Sequence, residues 1–176
     1  MNDRRGFLGM AGSAALLALT GCNNTPVIEI APSQSEMLKE NMINANKYFA
    51  SSEETEMDAY IGRRGWEMLK LSNGTRVWEY QKGSGPQPQG DDHVKVCYSV
   101  EALNGQKVYD LVEDELVMGQ CKDLPGLETA LRTLHYGSRA KVVIPSAMAY
   151  GVVGDGDKIS TRMVLVLDIQ LIQKNN

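Results

Sequence analysis

The stretch from residue 162 to residue 171 constrains the fold more than any other part of this chain. Apolar side chains occupy every second position there. A period of two places successive side chains on opposite faces of a β-strand, so the stretch predicts a strand with one face in the core. The segment 93–101 alternates in the same way. The inward-facing residues are Met163, Leu165, Leu167, Ile169 and Leu171 in one strand, and Val94, Val96, Tyr98 and Val100 in the other. Two such strands indicate a half-buried antiparallel sheet.

One predicted helix interrupts the strands between residues 125 and 135. Apolar residues recur at i, i+3, i+4 and i+7 starting from Leu127, which is one face of a helix. Pro125 suits the first turn, and Gly137 suits a C-terminal cap. The other strands are predicted over residues 75–81, 108–110, 115–118 and 139–144. A short helix against a half-buried antiparallel sheet is an α+β domain, and we assign it residues 71–176.

Residues 33–70 are predicted to form an N-terminal helical segment ahead of this domain. The first helix, over residues 33–50, carries an apolar stripe at helical spacing formed by Leu38, Met42, Ala45 and Phe49. A second, shorter helix is predicted over residues 52–64, with Ser52 as its cap and glutamates in its first turns. The stripe has two interpretations. It packs on the main domain, which we favour, or it pairs two copies of the chain as a homodimer.

The first 21 residues are typical of a secretory signal peptide. Two arginines precede an uncharged stretch, residues 7–21, which is shorter than the roughly 18–20 apolar residues of a membrane-spanning helix. The stretch ends in Leu-Thr-Gly before Cys22, which resembles a bacterial lipobox; the alternative is a plain cleavage site beside an ordinary thiol. We therefore expect a lipidated Cys22 and a tether over residues 22–32 that anchor the chain to a bacterial membrane, extracytoplasmically, on the periplasmic side or the cell surface. The arginine pair leaves both the twin-arginine and the general export route open.

Composition excludes several classes of function. Lys and Arg number 18 against 22 Asp and Glu, for a formal net charge of −4. Duplex binding needs a basic footprint, so no nucleic-acid partner is expected. Two His and three Cys are too few for a disulfide scaffold or a multi-metal site, and the common nucleotide, zinc and nucleophile motifs are missing. We expect no cofactor, no metal and no bridge between Cys97 and Cys121.

An ordered series of short motifs runs through the predicted domain. Its members are Val94-x-Val96-x-Tyr98, Val108-Tyr109-Asp110, Leu124-Pro125-Gly126-Leu127, Gly137-Ser138-Arg139, Ile144-Pro145, Ala149-Tyr150-Gly151 and Leu165-Val166-Leu167-Asp168-Ile169. In this order they resemble the FKBP-type peptidyl-prolyl cis-trans isomerase domain over roughly residues 75–173. The resemblance implies a five- or six-stranded antiparallel sheet wrapped around one short helix.

The resemblance also implies a pocket for a prolyl ring between the sheet and the helix. Carried over position by position, the catalytic residues are Tyr98, Asp110 and Tyr150, and the substrate-binding residues are Tyr109, Leu116, Leu124, Leu127, Ile159 and Leu167. Leu127 would be the floor, with Tyr109 and Leu167 as walls. The Tyr150 hydroxyl and the Leu124 N–H would donate to substrate carbonyls. Tyr98 and Asp110 would orient the polar edge.

The implied reaction explains why no acid–base pair is needed. Prolyl isomerisation twists an amide whose barrier is about 18–20 kcal/mol, and it breaks no bond. An apolar pocket favours the twist by removing water from the planar amide. The resemblance thus implies an isomerase that assists folding of exported polypeptides at X-Pro bonds. The Trp and two Phe common in the family are Leu127, Leu116 and Leu167 here, which predicts weak activity. The alternative is a non-catalytic binding or chaperone module on the same fold.

Overall fold

A computed structural model describes residues 33–172; the predicted signal peptide, Cys22 and the tether lie outside the described residues. The described strands are β1 Leu69–Lys70, β2 Arg76–Gln81, β3 His93–Ala102, β4 Lys107–Val117, β5 Arg139–Ile144 and β6 Leu165–Leu171. The helices are α1 Gln34–Arg64 and α2 Pro125–Leu131, and a turn of 3₁₀ helix spans Ser146–Met148. The strands form one antiparallel sheet in the order β1-β2-β5-β6-β3-β4. The predicted α+β architecture is confirmed.

The core lies between the sheet and α2. The inward residues of β6 are at most 1% exposed, and the inward residues of β3 are at most 7% exposed. The apolar face of α2 meets them with Leu127, Ala130 and Leu131, each at most 1% exposed. Gly126 permits this close approach, because a Cβ there would lie 2.3 Å from Ile144 Cγ2. The two alternating segments therefore bury the face that the sequence indicated.

The N-terminal segment contains one continuous helix, so the expected break before Ser52 is wrong. Ser33 caps α1 with a capping box, and Gly65 ends the helix in the left-handed conformation at φ 64°. Ser51 and Ser52 lie inside the helix. The Thr55 hydroxyl donates to the Ser51 carbonyl at 3.0 Å, which is the way hydroxyl side chains are accommodated in a helix interior. No Gly or Pro lies between residues 34 and 61, so the helix has no reason to stop at Ser52.

The C-terminal half of α1 packs on the outer face of the sheet. Met57, Tyr60 and Ile61 are buried against Val143 of β5, Val166 of β6 and Val164, which directly precedes β6. The two faces of β6 are therefore both buried near its start, one by the core and one by α1. Arg76, only 4% exposed, reaches the same helix through Asp58 at 3.0 Å and Glu54 at 3.3 Å.

The N-terminal half of α1 makes few contacts with the domain. Residues 34–50 are exposed along their whole length, including Leu38 at 62% and Met42 at 60%. One described contact is Arg162, which bonds Asn46 at 3.1 Å and lies 4.2 Å from the centre of the Phe49 ring. Our preferred interpretation, packing of the N-terminal helical segment on the domain, therefore holds for the C-terminal half of α1 and not for the stripe in residues 34–50. Within residues 33–172, no helix combines the length and apolar character needed to cross a bilayer.

Candidate functional site

Two adjoining cavities open between the β3–β4 hairpin, the start of α2 and the segment that carries Tyr150. The first, of about 330 Å³, is here called the Tyr109 cavity, and the second, of about 300 Å³, the Leu127 cavity. Both are bordered by Tyr98, Asp114, Leu124 and Tyr150. The Tyr109 cavity is also bordered by Val100, Tyr109, Val112, Asp155, Ile159 and Leu165. The Leu127 cavity adds Glu115, Leu116, Val117, Gln120, Cys121, Lys122, Asp123 and Leu127.

A bulge in β4 decides which of its side chains face these cavities. Tyr98 pairs with Val112 and Val100 pairs with Tyr109, so three steps along β4 match two along β3. Paired residues of an antiparallel sheet project to the same face, and a bulge shifts that alternation by one residue. Tyr109 therefore faces inward beside Val100. Asp110 faces outward.

The Tyr98 and Tyr150 hydroxyls are the polar groups best placed to meet a ligand. Tyr98 is only 7% exposed, and Tyr150 is half-buried. Within residues 33–172, neither hydroxyl has a hydrogen-bond partner. Burial raises the pKa of Tyr98 well above its usual range, and the nearby Asp114 carboxylate adds to this shift. Burial also raises the pKa of Tyr150, aided by neighbouring carboxylates. Both phenols therefore stay protonated and can donate.

Tyr109 is held rigidly by the loop after Tyr150. Its hydroxyl donates to Asp155 Oδ2 at 2.6 Å and to Asp157 Oδ2 at 3.3 Å. The bond to Asp155 raises the pKa of Tyr109 to about 12. The other oxygen of Asp155 accepts the N–H of Ile159 at 2.8 Å, which places Ile159 at the same cavity. Tyr109 therefore presents a fixed ring rather than a free hydroxyl.

The start of α2 supplies the apolar base of the site. Leu124, 8% exposed, precedes Pro125 and borders both cavities. Its carbonyl accepts the Leu127 N–H at 3.0 Å, while its own N–H has no acceptor among residues 33–172. Leu127, 1% exposed, borders the Leu127 cavity together with Tyr150. Leu127, the predicted floor, and Tyr150 therefore border the same open cavity.

Two predicted site residues lie outside the cavities. The Asp110 side chain is 81% exposed, forms an ion pair with Lys107 at 3.0 Å and borders a separate hollow on the outer face of the sheet. The β4 bulge is the reason for this placement. Leu167 is fully buried between Val100 of β3 and Val142 of β5, where it belongs to the core. The other seven predicted residues border one or both cavities.

Sequence reasoning missed Asp114. It pairs with Val96, an inward residue of β3, and so its half-buried carboxylate faces the cavities. The available signal was the alternation Val112, Asp114, Leu116, which reads as one inward face when residues 107–117 are treated as a single strand. Two short strands with a gap over residues 111–114 hid that alternation.

Helix α1 helps to fix the segment that carries Tyr150. Glu53 accepts the Ser146 N–H at 3.0 Å and the Ser146 hydroxyl at 2.5 Å. The Ser146 carbonyl in turn accepts the N–H groups of Ala149 at 3.1 Å and Gly151 at 2.9 Å, on either side of Tyr150. A chain of hydrogen bonds therefore runs from α1 to the backbone that positions the Tyr150 ring.

Both cysteines of the described region are free thiols and half-buried. Cys121 borders the Leu127 cavity, while Cys97 borders the hollow on the outer face of the sheet. Burial raises the pKa of the Cys121 thiol, so it is a poor nucleophile at neutral pH.

Sequence comparisons point to a single family. The sequence model described as FKBP-type peptidyl-prolyl cis-trans isomerase matches residues 85–172. The probable FKBP-type 25 kDa peptidyl-prolyl cis-trans isomerase of Pseudomonas aeruginosa is 31% identical over 165 residues, covering 93% of this chain and 72% of that protein. The probable FKBP-type isomerase FkpA of Neisseria meningitidis is 32% identical over 96 residues, covering 53% of this chain and 35% of that protein.

Solved structures give the same result for the fold. A peptidyl-prolyl cis-trans isomerase from Pseudomonas syringae matches with a TM-score of 0.60 and 28% identity, over 72% of this chain and 93% of that chain. FkpA from Escherichia coli matches with a TM-score of 0.59 and 22% identity, over 81% of this chain and 73% of that chain. At that identity the second match speaks for the fold alone.

Proposed function

Because this chain belongs to the FKBP-type peptidyl-prolyl cis-trans isomerase family, we propose that it isomerises X-Pro peptide bonds bound at the Tyr109 and Leu127 cavities. The prolyl ring would lie against Leu127 and the Tyr109 ring. The observation that carries this proposal is the pair of tyrosine hydroxyls, Tyr98 and Tyr150, that border both cavities without partners among residues 33–172.

The chemistry required of the site is modest. The walls must remove water from a planar imide, because desolvation favours the less polar twisted form. Leu124, Ile159 and Leu127, each at most 8% exposed, supply such walls. The Tyr98 and Tyr150 hydroxyls and the Leu124 N–H then donate to substrate carbonyls and hold the segment while the prolyl bond rotates. In this assignment, Asp110 and Leu167 do not touch substrate.

We expect the rate to be low for this family. Leu127 and Leu116 stand at positions where the family commonly has aromatic side chains, and an aromatic ring offers a larger flat face to a prolyl ring. Each replacement should weaken prolyl binding by several tenths to about 1 kcal/mol. The donors are retained, so activity should be reduced rather than lost.

A protease-coupled assay on the purified full-length protein, kept soluble with detergent, tests the proposal. The cis-to-trans rate of Leu-Pro and Phe-Pro peptides should rise linearly with protein concentration. A rate equal to that of buffer and detergent alone would remove the enzymatic assignment. The double variant Tyr98→Phe/Tyr150→Phe is the matched control, because it keeps both rings and removes only the hydroxyls.

The alternative function is a non-catalytic binding or chaperone module, and the exposed half of α1 favours it. Its apolar side chains, such as Met42 and Phe49, remain uncovered in the described chain.

Pairing of two copies along this stripe would cover them, so we include a homodimer in the proposal. Sedimentation of the full-length protein should then give a dimer that Met42→Glu dissociates, while Lys39→Ala leaves it intact. A monomeric parent protein would exclude the dimer.

The site of action follows from the sequence of the first 22 residues. We propose that the chain is anchored through diacylated Cys22 on the extracytoplasmic side of a bacterial membrane and assists folding of exported polypeptides there. Metabolic labelling with an alkyne fatty acid should mark the wild-type chain and not Cys22→Ser. Equal labelling of the two would refute the anchor.

A further inference from the structure

The charges that border the two cavities are predominantly negative. The Tyr109 cavity carries Asp114 and Asp155, with no cationic side chain among its described lining residues. The Leu127 cavity carries Asp114, Glu115 and Asp123 against one cation, Lys122. The lining residues of the two cavities together therefore carry four carboxylates and one ammonium group, and Lys158, whose Nζ lies 4.9 Å from the centre of the Tyr109 ring, adds a second cation nearby. A ligand that enters the site meets a negative field.

Asp114 is the carboxylate that both cavities share. It is half-buried on the inner face of β4, opposite Val96, and no cation pairs with it within residues 33–172. Its neighbour Tyr98 is more than nine-tenths buried, yet its hydroxyl has no partner in that range. The site thus offers a donor and an uncompensated carboxylate side by side. A ligand with a carbonyl and a cation would satisfy both.

The negative charges contribute to the raised pKa values of the two tyrosines that border both cavities. Asp114 contributes to the raised pKa of Tyr98 and of Tyr150, after the larger effect of burial. Asp155 and Asp123 act on Tyr150 in the same direction. The carboxylates therefore stand close enough to the proposed donors to influence a charge on a substrate bound to those donors.

We infer that the site selects X-Pro segments with a Lys or Arg next to the proline, and that Asp114 is the residue that recognises this charge. The inference rests on the proposed function, because it concerns the substrate of the same cavities. A basic side chain would lie against Asp114 while its backbone carbonyl accepts from Tyr98. An acidic side chain at the same place would be repelled. Asp114 is thus a specificity-determining residue for the proposed reaction.

The test compares peptides that differ only in the charge beside proline. One series is Ala-X-Pro-Phe and the other is Ala-Leu-Pro-X, where X is Lys, Leu or Glu. The assay uses the full-length protein in a non-ionic detergent. In at least one series, kcat/KM should fall in the order Lys, Leu, Glu. The Lys-to-Glu ratio should be about three- to tenfold, the range expected for partly screened charge pairs. It should approach one as salt shortens the Debye length from about 10 Å to about 3 Å.

Asp114→Asn should remove most of the Lys-to-Glu ratio, which is measured within the variant so that any change in its overall rate cancels. Glu113→Gln is the matched control, because Glu113 is the adjacent exposed residue on the opposite face of β4 and loses the same charge. It should keep the ratio. Equal kcat/KM for all three peptides, or the same ratio in Asp114→Asn, would overturn the inference while leaving the proposed isomerase intact.

Binding gives a second readout that does not depend on turnover. Titration calorimetry with the same peptides should give Kd values in the order Lys, Leu, Glu for the parent protein, and nearly equal values for Asp114→Asn. If no peptide is isomerised, the proposed reaction fails, and the Kd order still decides the charge preference. Equal Kd values would refute it.

Discussion

The replacement of Tyr98 by Phe separates binding of a substrate from stability of the fold. The Tyr98 hydroxyl has no hydrogen-bond partner within residues 33–172, so its removal leaves no acceptor unsatisfied there. The ring is 7% exposed and keeps its packing in the Phe variant. The hydroxyl borders the two cavities and is not among the buried side-chain atoms that lack a partner, so Tyr98→Phe should leave the free energy of unfolding within about 0.5 kcal/mol of the parent value.

The same change should reduce activity. A hydrogen bond from Tyr98 to a substrate carbonyl is worth about 0.5–1.5 kcal/mol, which corresponds to a loss of about 2- to 13-fold in kcat/KM. The assay is the protease-coupled rate on a Leu-Pro peptide, paired with urea denaturation of the same preparation. A loss of activity without a loss of stability is the signature of a group kept for the ligand rather than for the fold.

Tyr109→Phe is the control for this reasoning. The Tyr109 hydroxyl is bonded to Asp155, so its removal should lower stability. The reasoning about Tyr98 is refuted if Tyr98→Phe destabilises the protein as Tyr109→Phe does while kcat/KM stays at the parent value. That result would mean that the Tyr98 hydroxyl serves the fold.

Three further predictions concern the surroundings of the site. Glu53→Gln should lower kcat/KM with little change in Tm, since it loosens the Ser146 contact that fixes Tyr150; an unchanged kcat/KM would count against it. Gly126→Ala should destabilise by about 1–3 kcal/mol, measured by urea denaturation, because its Cβ would overlap the Ile144 side chain. The free energy of unfolding should fall from pH 10 towards pH 12, because folded Tyr109, with its pKa raised to about 12, keeps a proton that the unfolded chain releases; a flat profile would contradict this.

The parts of the fold that sequence could predict are those with a strict period. The inward residues of β3 and β6, such as Val96 and Ile169, are buried because alternation leaves one register that hides them all. The apolar spacing from Leu127 likewise located α2. The order of the motifs then identified the family that the comparisons show.

The parts that sequence did not predict depend on tertiary contacts. Ser52 resembles a helix cap, but the helix continues because α1 is held on the sheet through Met57 and Tyr60, seven and four residues before the helix ends at Arg64. In a regular strand, Asp110 and Asp114 would share a face. The bulge in β4 places Asp110 on the outer face while Asp114 faces inward, and no local pattern marks the position of the bulge. Asp110, to which the resemblance assigned a catalytic role, therefore lies on the outer face of the strand.

We propose that a proline-containing segment binds beneath Tyr98 and Tyr150 and has its prolyl bond rotated there. Exchange NMR spectroscopy on a Leu-Pro peptide with a small amount of the protein measures that rotation directly, without a coupling protease. We predict exchange cross-peaks between cis and trans resonances that fade when both hydroxyls are removed. Cross-peaks of equal intensity in the doubly substituted protein, or none with the unaltered chain, would contradict it.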